Sequence, residues 1–367
     1  MAQISDHLFV LIIAGGGGTR LWPQSREETP KQFAKLFGGK SLFEITLDRA
    51  LKVTDSRRII ISTSHRYLSL VRKLARKIPT ENIIGEPMRR DTALAIGVAT
   101  AYAYKYDPQA VVVNMASDHL ISPLNVFVRQ VHFAAQLAMD FPYLVTIGIK
   151  PRFPHPGMGH IKAVKTWPDS DGKYLIGEKF VEKPPLPLAQ KYTRSGHYYW
   201  NTNLFVFKAS LLLNLLQKFE PKIYSLLPKL MGDIGTEKEN ETLNLVYQMS
   251  PGMAIDYAVA EKLHKFICVP ADFNWTDIGD WKEVYNNLSR DREGNVIEGP
   301  HGQGKYIGIN SRNNLLFLDK KIVATVGLED MLIIDTPDAL LICPKEEAQG
   351  VKQVVQALKD SNLTEYL

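Results

Sequence analysis

Four consecutive glycines, residues 15–18, follow the first apolar stretch of the chain. Glycine lets backbone N–H groups surround phosphate oxygens, because no side chain stands in the way. The position also suits a ligand, since ligands of open α/β sheets bind beyond the carboxyl ends of the strands. The run therefore predicts a phosphate-binding loop. Its predicted nucleotide-binding residues are Ala14, Gly15, Gly16, Gly17, Gly18 and Thr19.

Two familiar phosphate loops do not match the residues around these glycines. No Gly-Lys-Ser/Thr ending follows, which excludes a P-loop, and Arg20–Pro23 stands where a dinucleotide-binding loop would open a helix. A flexible turn is the simpler alternative for the glycines alone. Arg20 in the loop and Lys31 in the segment Thr29–Phe33 favour phosphate binding, because cations there can neutralise charge on a transferred phosphoryl group.

The run Leu11–Phe33 resembles the signature of the sugar-nucleotide pyrophosphorylases. Trp22-Pro23 together with Pro30–Phe33 is similar in particular to the mannose-1-phosphate guanylyltransferases, and further matching segments follow in family order down to Trp281. The resemblance implies an enzyme that forms GDP-mannose and pyrophosphate from GTP and mannose 1-phosphate with Mg²⁺. The attacking phosphate is already anionic, so catalysis reduces to positioning and charge neutralisation.

The same resemblance implies four catalytic residues: Arg20, Lys31, Asp118 and Asp277. Arg20 and the glycine amides would hold the β- and γ-phosphates, and Lys31 would stabilise the α-phosphate. Asp118 and Asp277 resemble the magnesium ligands, and Mg²⁺ commonly binds one or two carboxylates together with substrate phosphates. A lone aspartate in a loop is more often a cap or a turn residue. The matching residues around both favour metal binding.

Glu86–Ala93 resembles the base-recognition segment of the family. Glu86 can accept hydrogen bonds from the N1–H and amino groups of guanine, a pairing that disfavours adenine. The family usually has asparagine where this chain has Asp91, and a cap on the following helix is the alternative role for this residue. The predicted nucleotide-binding residues of the segment are Glu86, Arg90, Asp91 and Thr92.

Three segments resemble the sugar-phosphate side of the family's site, namely Gly157–Ile161, Phe180–Pro184 and Trp200–Phe205. Glu182 would hydrogen-bond sugar hydroxyls, and Lys183 would hold the phosphate as a mobile point charge. The predicted sugar-phosphate-binding residues are Gly159, Glu182, Lys183, Asn201, Thr202 and Asn203.

Asp91, Met158, His160 and Asn203 depart from the family's pattern. Asn203 stands where glycine is usual, and it would either narrow the sugar pocket or adopt the same left-handed backbone. Asp256, in a further family-like segment, would support the site or cap a helix. The departures leave two alternatives open: a catalytically silent relative that senses sugar nucleotides, and an enzyme that uses another base or sugar. The charged groups that catalysis needs are present, which favours the enzyme.

The elements that must position these residues alternate between short apolar runs and helix-length amphipathic stretches. This alternation predicts an α/β fold with a Rossmann-like mixed, mainly parallel sheet flanked by helices. The predicted strands are Phe9–Ala14, Arg58–Thr63, Val111–Ala116 and Tyr143–Ile149. The predicted helices are Ser41–Val53, Tyr67–Lys77, Thr92–Tyr106 and Val126–Met139. A strand pair, His160–Lys165 and Tyr174–Val181, is expected as an insertion beside the sheet.

From Arg290 onwards the chain changes to short strands with Gly and Asn turns. We expect a catalytic domain at residues 1–289 and a small β domain at 290–367 that resembles a short left-handed β-helix and ends in a helix, Lys345–Lys359. Its predicted strands are Tyr306–Asn310, Asn314–Leu318, Ile322–Val326, Met331–Thr336 and Ala339–Cys343. Exposed strand edges suggest dimer contacts, and hence a homodimer. The isomerase module fused to some relatives is not expected.

Composition sets further limits on partners and location. The 44 basic and 39 acidic residues are interspersed, and the net charge of +5 lacks the concentrated basic face that nucleic acid requires. Cys268 and Cys343 form no metal or disulfide pattern, which favours a reducing compartment. The apolar run Leu8–Ala14 has no basic leader and is too short to span a bilayer. We therefore expect a cytoplasmic protein that binds neither nucleic acid nor membrane.

Overall fold

The computed structural model describes residues 4–16, 18–300 and 304–367. Its strands are β1 Leu8–Ala14, β2 Lys35–Phe37, β3 Lys40–Ser41, β4 Ile59–Ser64, β5 Ile83–Glu86, β6 Val111–Ala116, β7 His119–Ser122, β8 Val145–Ile149, β9 His160–Thr166, β10 Leu175–Val181, β11 Tyr198–Lys208, β12 Phe266–Pro270, β13 Asn274–Asp277, β14 Val296–Glu298, β15 Lys305–Ile309, β16 Leu315–Phe317, β17 Ile322–Val326, β18 Met331–Asp335 and β19 Leu340–Pro344. Its α-helices are α1 Ile4–His7, α2 Leu42–Val53, α3 Leu68–Leu74, α4 Asp91–Tyr106, α5 Leu124–Asp140, α6 Leu186–Ser195, α7 Ala209–Phe219, α8 Pro221–Tyr224, α9 Leu227–Asp233, α10 Glu239–Met249, α11 Ile255–Ala258, α12 Trp281–Asn286 and α13 Val351–Asp360. Within these ranges, no helix combines the length and the apolar character needed to cross a membrane.

By their contacts, the described residues divide into two compact units. The first lies within Met1–Gly15, Leu47–Ala116 and Ile121–Trp275. The second lies within Gly16–Thr46, Ser117–Leu120 and Thr276–Leu367. This division differs from the boundary predicted between residues 289 and 290. The difference arises because Leu21, Trp22 and Leu36 share one apolar core with Trp281 and Phe317, so that residues from the first part of the chain pack with the C-terminal strands.

A nine-stranded sheet crosses the first unit, in the order β5-β4-β1-β6-β11-β8-β12-β10-β9 among the residues that the structure describes. Parallel ladders join β5, β4, β1 and β6, and another joins β8 to β12, whereas β11 and β10 run antiparallel to their neighbours. The predicted mixed α/β sheet is confirmed, but the expectation that it is mainly parallel was wrong, because the antiparallel ladders of β10 and β11 are at least as frequent as the parallel ones. The expected insertion was wrong, because the β9–β10 pair forms the edge of this sheet: β10 pairs with β12, and β9 with β11.

Burial on both faces of the sheet explains the unbroken apolar sequence of β1, in which every residue except Ile13 is buried. Helix α4 covers this strand with small side chains, and all its residues from Ala93 to Ala103 are buried. Small residues allow a close approach, so α4 shares one core with Leu11 on β1 and Leu216 on α7. The packing fixes the carboxyl ends of β1 and β5, where the glycine loop begins and where Glu86 lies.

The C-terminal strands of the second unit stack as a β-helix-like coil. Strands β14, β16 and β18 pair in parallel, β19 adds antiparallel to β18, and β15 and β17 form a second parallel pair. Leu316 and Ile333 pack against Tyr306 and Val323. The predicted β domain is confirmed, while the expected terminal helix begins with 3₁₀ turns over Lys345–Gly350 and continues as α13.

A fully buried asparagine links successive turns of this coil. Asn314 Nδ2 donates to Asn295 Oδ1 at 3.1 Å and to the carbonyl oxygen of Leu328 at 3.0 Å. Asn314 Oδ1 accepts from the backbone N–H of Met331 at 2.9 Å. One buried side chain therefore pairs with backbone groups of two neighbouring turns.

Replacing this asparagine should destabilise the protein strongly. Asn314→Ala should lower the free energy of unfolding by roughly 2–4 kcal/mol, because it removes hydrogen bonds to Asn295, Leu328 and Met331 at about 0.5–1.5 kcal/mol each. Denaturant unfolding followed by circular dichroism measures the change. Asn287→Ala is the control, since Asn287 is exposed in the same unit, and its effect should stay below about 0.5 kcal/mol. Equal stability of Asn314→Ala and wild type would contradict the role given to Asn314.

Candidate active site

Lys31 lies at the centre of a charged cluster in the second unit. Its Nζ is 2.9 Å from Asp118 Oδ2, 3.0 Å from Asp277 Oδ1 and 3.0 Å from the carbonyl oxygen of Ile278. Three segments that are far apart in the sequence therefore meet at one ammonium group, and each of its three protons has an acceptor. The two aspartates expected to share a cation lie next to each other.

Burial makes the charges of this cluster depend on one another. The Lys31 side chain is 13% exposed. Burial alone would lower the pKa of Lys31, but the charges of Asp118 and Asp277 raise it above its ordinary value. Burial also opposes ionisation of Asp118, but the adjacent Lys31 ammonium outweighs this effect and lowers the pKa of Asp118 to about 2. Lys31 and Asp118 are therefore both charged at neutral pH.

Gly16 and Gly18 are held against the segment that carries Lys31. A β-carbon at Gly18 would lie 2.6 Å from Lys31 Cγ, so only glycine fits beside the lysine stem. Gln32 Nε2 donates to the carbonyl oxygen of Gly16 at 3.0 Å, and Ser25 Oγ donates to that of Gly18 at 2.6 Å. Sequence reasoning missed both supporting residues, although Gln32 adjoins Lys31 in the motif.

The remaining loop residues differ in their surroundings. Ala14 is buried at the end of β1, where Thr63 Oγ1 donates to its carbonyl oxygen at 3.0 Å. Gly15 and Thr19 are exposed. Gly17 lies outside the described residues. Exposed backbone therefore remains at the two ends of the predicted phosphate loop.

Arg20, the second predicted cation, is exposed at the end of this loop. A β-carbon at Gly279 would lie 3.7 Å from Arg20 Nη1, so the guanidinium group lies beside the segment that carries Asp277. Lys31 contacts the same segment at Asp277 and Ile278. Within the second unit, both predicted cations thus flank one stretch of chain, as a shared phosphate site requires.

Glu86 ends β5 with a buried carboxyl group. Ser62 Oγ donates to Glu86 Oε1 at 2.7 Å. Burial raises the pKa of Glu86, and the hydrogen bond from Ser62 partly offsets this effect. A β-carbon at Gly15 would lie 3.7 Å from Glu86 Oε1. The carboxyl group predicted to recognise the base therefore lies beside the start of the glycine loop, within the first unit.

The other predicted base-side residues connect α4 to its neighbours. Arg90 Nε donates to the carbonyl oxygen of Tyr247 at 2.7 Å, and Thr92 Oγ1 accepts from the backbone N–H of Ile255 at 2.9 Å. Asp91 begins α4 with a φ of 61°, and its Oδ1 accepts from the adjacent N–H of Thr92 at 2.8 Å. The residue before it, Arg90, is the N-cap and makes no side-chain cap bond, so the capping alternative for Asp91 is not confirmed. These contacts give all three residues structural roles, and their contact with a nucleotide stays a prediction.

Glu182, Lys183, Asn201 and Gly159 form a second cluster, in the first unit. Lys183 Nζ donates to Glu182 Oε1 at 2.6 Å; the lysine side chain is 62% exposed and the glutamate 8%. A β-carbon at Gly159 would lie 2.6 Å from Glu182 Oε2 and 3.1 Å from Asn201 Cβ, so glycine is needed there. The structure thus brings these four predicted sugar-phosphate residues together.

The next two predicted residues are fixed by the backbone. Thr202 is buried, and its Oγ1 donates to the carbonyl oxygen of Ile147 at 2.6 Å, which directs the hydroxyl into the protein. Asn203 has a φ of 58°, in the left-handed region that asparagine tolerates better than most residues. Asn203 N donates to Asn201 Oδ1 at 3.0 Å, and Asn114 Nδ2 donates to the Asn203 carbonyl oxygen at 2.9 Å. Of the two alternatives for Asn203, the geometry supports the left-handed backbone.

Asp256 at the start of α11 is a buried acid beside the second cluster. Asn201 Nδ2 donates to Asp256 Oδ1 at 3.1 Å. Burial first, and then the negative charge of Glu182, raise the pKa of Asp256 to about 7, although Lys183 acts in the opposite direction. This carboxyl group therefore gains or loses its proton near neutral pH.

A divalent cation would have two protein ligands in the second unit. In the part of the chain that the structure describes, no three His, Cys, Asp or Glu side chains surround a common metal position. Asp118 and Asp277 offer adjacent carboxylate oxygens, the donor type that Mg²⁺ prefers, and substrate phosphates and waters commonly complete such a site. The donor set fits Mg²⁺ when phosphate is bound as well.

Comparison with known proteins places the chain in a family. The nucleotidyl transferase family matches residues 9–293, and the MannoseP isomerase/GMP-like beta-helix domain matches residues 304–358. Mannose-1-phosphate guanylyltransferase 2 of Escherichia coli O157:H7 is 34% identical over 98% of this chain and 75% of its own length. The chain belongs to the mannose-1-phosphate guanylyltransferase family. The xanthan biosynthesis protein XanB of Xanthomonas campestris is 36% identical over 97% of this chain and 74% of its own.

A solved structure agrees with this membership. A Thermus thermophilus protein, described as a mannose-1-phosphate geranyltransferase, has a TM-score of 0.86 and 30% identity, and the match covers 96% of this chain and 99% of that one. The family is one of nucleotidyl transferases, so the chain is an enzyme of that kind. The implied α/β fold with a β-helix-like C-terminal domain is confirmed.

The buried acid of the second cluster leads to a pH-dependent prediction. The pKa of Asp256 in the folded protein exceeds that of an ordinary aspartate, so between about pH 4 and about pH 7 the folded protein binds more protons than the unfolded chain. Stability conferred by the neutral acid is therefore lost as the pH rises through this window. Asp256→Asn keeps an oxygen for Asn201 and carries no charge. The free energy of unfolding of Asp256→Asn minus that of wild type should therefore increase by roughly 1–3 kcal/mol from about pH 5 to about pH 8.

Urea unfolding at a series of pH values measures this difference. Asp140→Asn is the control, because Asp140 is exposed at the end of α5 in the same unit. The rise in the free energy of unfolding relative to wild type should be larger in Asp256→Asn than in this control. A rise in Asp256→Asn that is no larger than in the control would show that the carboxyl group of Asp256 does not titrate in this window.

Proposed function

We propose that this protein forms GDP-mannose and pyrophosphate from GTP and mannose 1-phosphate, with Mg²⁺ as its cofactor. The main support is the contact of Lys31 with both Asp118 and Asp277, beside a segment that Arg20 also flanks. Such a cluster supplies cations for phosphates and carboxylates for a metal, which are the parts that phosphoryl-group chemistry needs. The names of the relatives support the sugar phosphate and the guanine nucleotide.

The proposed reaction is an in-line displacement at the α-phosphorus of GTP. An anionic oxygen of mannose 1-phosphate forms the new P–O bond, and the bond to the β-phosphate breaks and releases pyrophosphate. Arg20 and the glycine-loop amides would hold the β- and γ-phosphates, while Lys31 would meet charge that develops on the α-phosphate. Mg²⁺, held by Asp118 and Asp277, would supply further neutralisation of phosphate charge.

Base choice would depend on Glu86. Its Oε1 accepts from Ser62, and the Tyr247 hydroxyl is a further hydrogen-bonding neighbour, so the carboxyl group is held in place. Guanine presents two adjacent donors, N1–H and the amino group, and both favour the ionised carboxylate. Adenine has no N1–H, so the buried charge of Glu86 would remain poorly paired with that base.

Sugar binding would use the second cluster. Glu182 is oriented by Lys183 and packs closely on Gly159, where a larger residue would displace its carboxylate. Asn201 is fixed by hydrogen bonds with Asn203 and Asp256. Carboxylate and amide groups held in this way can accept from and donate to sugar hydroxyls.

A panel of substrates tests the proposal against its alternatives. Purified protein with Mg²⁺ is offered GTP, ATP or UTP together with mannose, glucose or heptose 1-phosphate, and pyrophosphate release is measured. We expect the highest kcat/KM with GTP and mannose 1-phosphate. A higher value with another pair would identify a different substrate, and nucleotide-sugar binding without pyrophosphate release would favour the silent sensor.

Two substitutions test the catalytic cluster. Asp277→Asn and Lys31→Ala should each lower kcat by roughly 10²-fold or more, the usual effect of losing one preorganised charge contact. Asp338→Asn and Lys282→Ala are the controls: they remove the same charges from more exposed ion pairs of the same unit and should keep activity near that of wild type. Near wild-type kcat in Asp277→Asn or Lys31→Ala would remove that residue from the mechanism.

We also propose a homodimer. Ile307, Ile309, Ile322 and Val326 lie on one face of the β15–β17 pair and are between 52% and 74% exposed. Contiguous apolar surface typically marks an interaction site, and the same face on a second copy would cover it. Sedimentation velocity should therefore show a dimer in wild type and a monomer in Val326→Glu. The charge control Lys352→Glu, at an exposed position of α13, should remain a dimer; a monomeric wild type would exclude the proposal.

A further inference from the structure

The ammonium group of Lys31 lies where a cation shared by Asp118 and Asp277 would have to lie. Its Nζ contacts one carboxylate oxygen of each aspartate, at 2.9 and 3.0 Å. The carbonyl oxygen of Ile278 is a third acceptor at 3.0 Å, so all the ammonium protons are engaged. A metal ion added to the same carboxylates would face a positive charge at close range, and the lysine side chain that carries this charge is only 13% exposed, so that solvent screens it less than a surface charge.

We propose that Lys31 is a tethered occupant of the divalent-cation site in the ligand-free protein, and that phosphate bound at the glycine loop draws it away so that Mg²⁺ can enter. The inference rests on the proposed function in one respect: it takes Asp118 and Asp277 as the carboxylates that hold Mg²⁺. It adds that metal and triphosphate bind cooperatively, because one lysine serves the carboxylates in one state and the phosphates in the other.

The course of the lysine side chain makes this exchange short. A β-carbon at Gly18 would lie between 2.6 and 2.8 Å from Lys31 Cβ, Cγ and Cδ, so the aliphatic stem runs along the glycine loop. The ammonium group at its end therefore lies within reach both of the carboxylates and of an anion held by the loop. Lysine suits this task, because its compact charge sits on a flexible stem and tolerates different partners.

Charge balance gives the reason for coupling. Two carboxylates and one ammonium carry a net charge of −1. Mg²⁺ bound with Lys31 still in place would turn this partly buried cluster positive, which is unfavourable without further anions. Phosphate oxygens supply those anions and a second partner for Lys31. Each ligand then raises the affinity for the other by the same factor.

Metal binding to the ligand-free protein tests this inference without any turnover. Mn²⁺ is the probe, and its free concentration is followed by electron paramagnetic resonance. Wild type should bind Mn²⁺ weakly, whereas Lys31→Met, which keeps the stem and removes the charge, should bind it at least about tenfold more tightly, a change of about 1.4 kcal/mol. Lys31→Arg keeps a positive charge and should stay weak.

The controls separate site occupancy from net charge and from misfolding. Lys282→Met removes the same charge elsewhere in the unit, where Lys282 pairs with the exposed Glu346, and should match wild type. Adding Asp118→Asn to Lys31→Met should abolish the increase in Mn²⁺ affinity. Lys31→Gln is a second neutral variant in case the methionine variant does not fold. A rise in Tm on adding Mn²⁺, expected for the neutral variants and absent in wild type, is an independent readout.

The inference is overturned if Lys31→Met and Lys31→Gln bind Mn²⁺ no more tightly than wild type, or if Lys282→Met gains as much as they do. Its failure is distinct from failure of the proposed function. In one outcome, wild type turns over GTP and mannose 1-phosphate while the variants bind Mn²⁺ no more tightly than wild type does. That result would support the proposed reaction and reject the role given to Lys31. Tighter Mn²⁺ binding by the neutral variants, together with no turnover by wild type, would support the role given to Lys31 and reject the proposed reaction.

Discussion

The ion pairs of Lys31 are the interaction on which the arrangement of the charged cluster depends. A buried ammonium is costly unless opposite charges meet it, and Asp118 and Asp277 do so here. Since the three residues belong to separate segments of the second unit, their pairing fixes those segments relative to each other. The packing of the lysine stem on Gly18 then ties the glycine loop to the same point. One side chain therefore has both a structural and a chemical role.

Much of the fold could be predicted because local sequence determines burial. The apolar residues of Val111–Ala116 predicted that strand to the residue, since a buried strand needs apolar side chains wherever it meets a core. Ile322–Val326 was also predicted to the residue, although its side chains are exposed or half-buried, because β-branched residues favour strands. Pairing partners are not local, however. The β9–β10 pair reads as a hairpin in the sequence, and only contacts with the distant β12 and β11 make it part of the sheet.

The candidate site was predictable where chemistry restricts the residue type, as with Gly18, Lys31 and the two aspartates. It was less predictable where one polar group can serve either a ligand or the backbone. Arg90 and Thr202 occupy positions of family-like motifs, yet their side chains bond the carbonyl oxygens of Tyr247 and Ile147. Sequence alone cannot distinguish these uses, because a buried carbonyl and a ligand oxygen offer a donor the same partner.

The second cluster obeys the same electrostatic rule as the first. Lys183 is held by Glu182 in the ligand-free protein, just as Lys31 is held by its aspartates. A sugar phosphate that recruits Lys183 would leave the buried carboxylate of Glu182 without its cation, beside the acid Asp256. Sugar hydroxyls are the donors that can compensate this loss. Phosphate alone should therefore bind poorly at this cluster, since its gain from Lys183 depends on hydroxyl groups that satisfy Glu182.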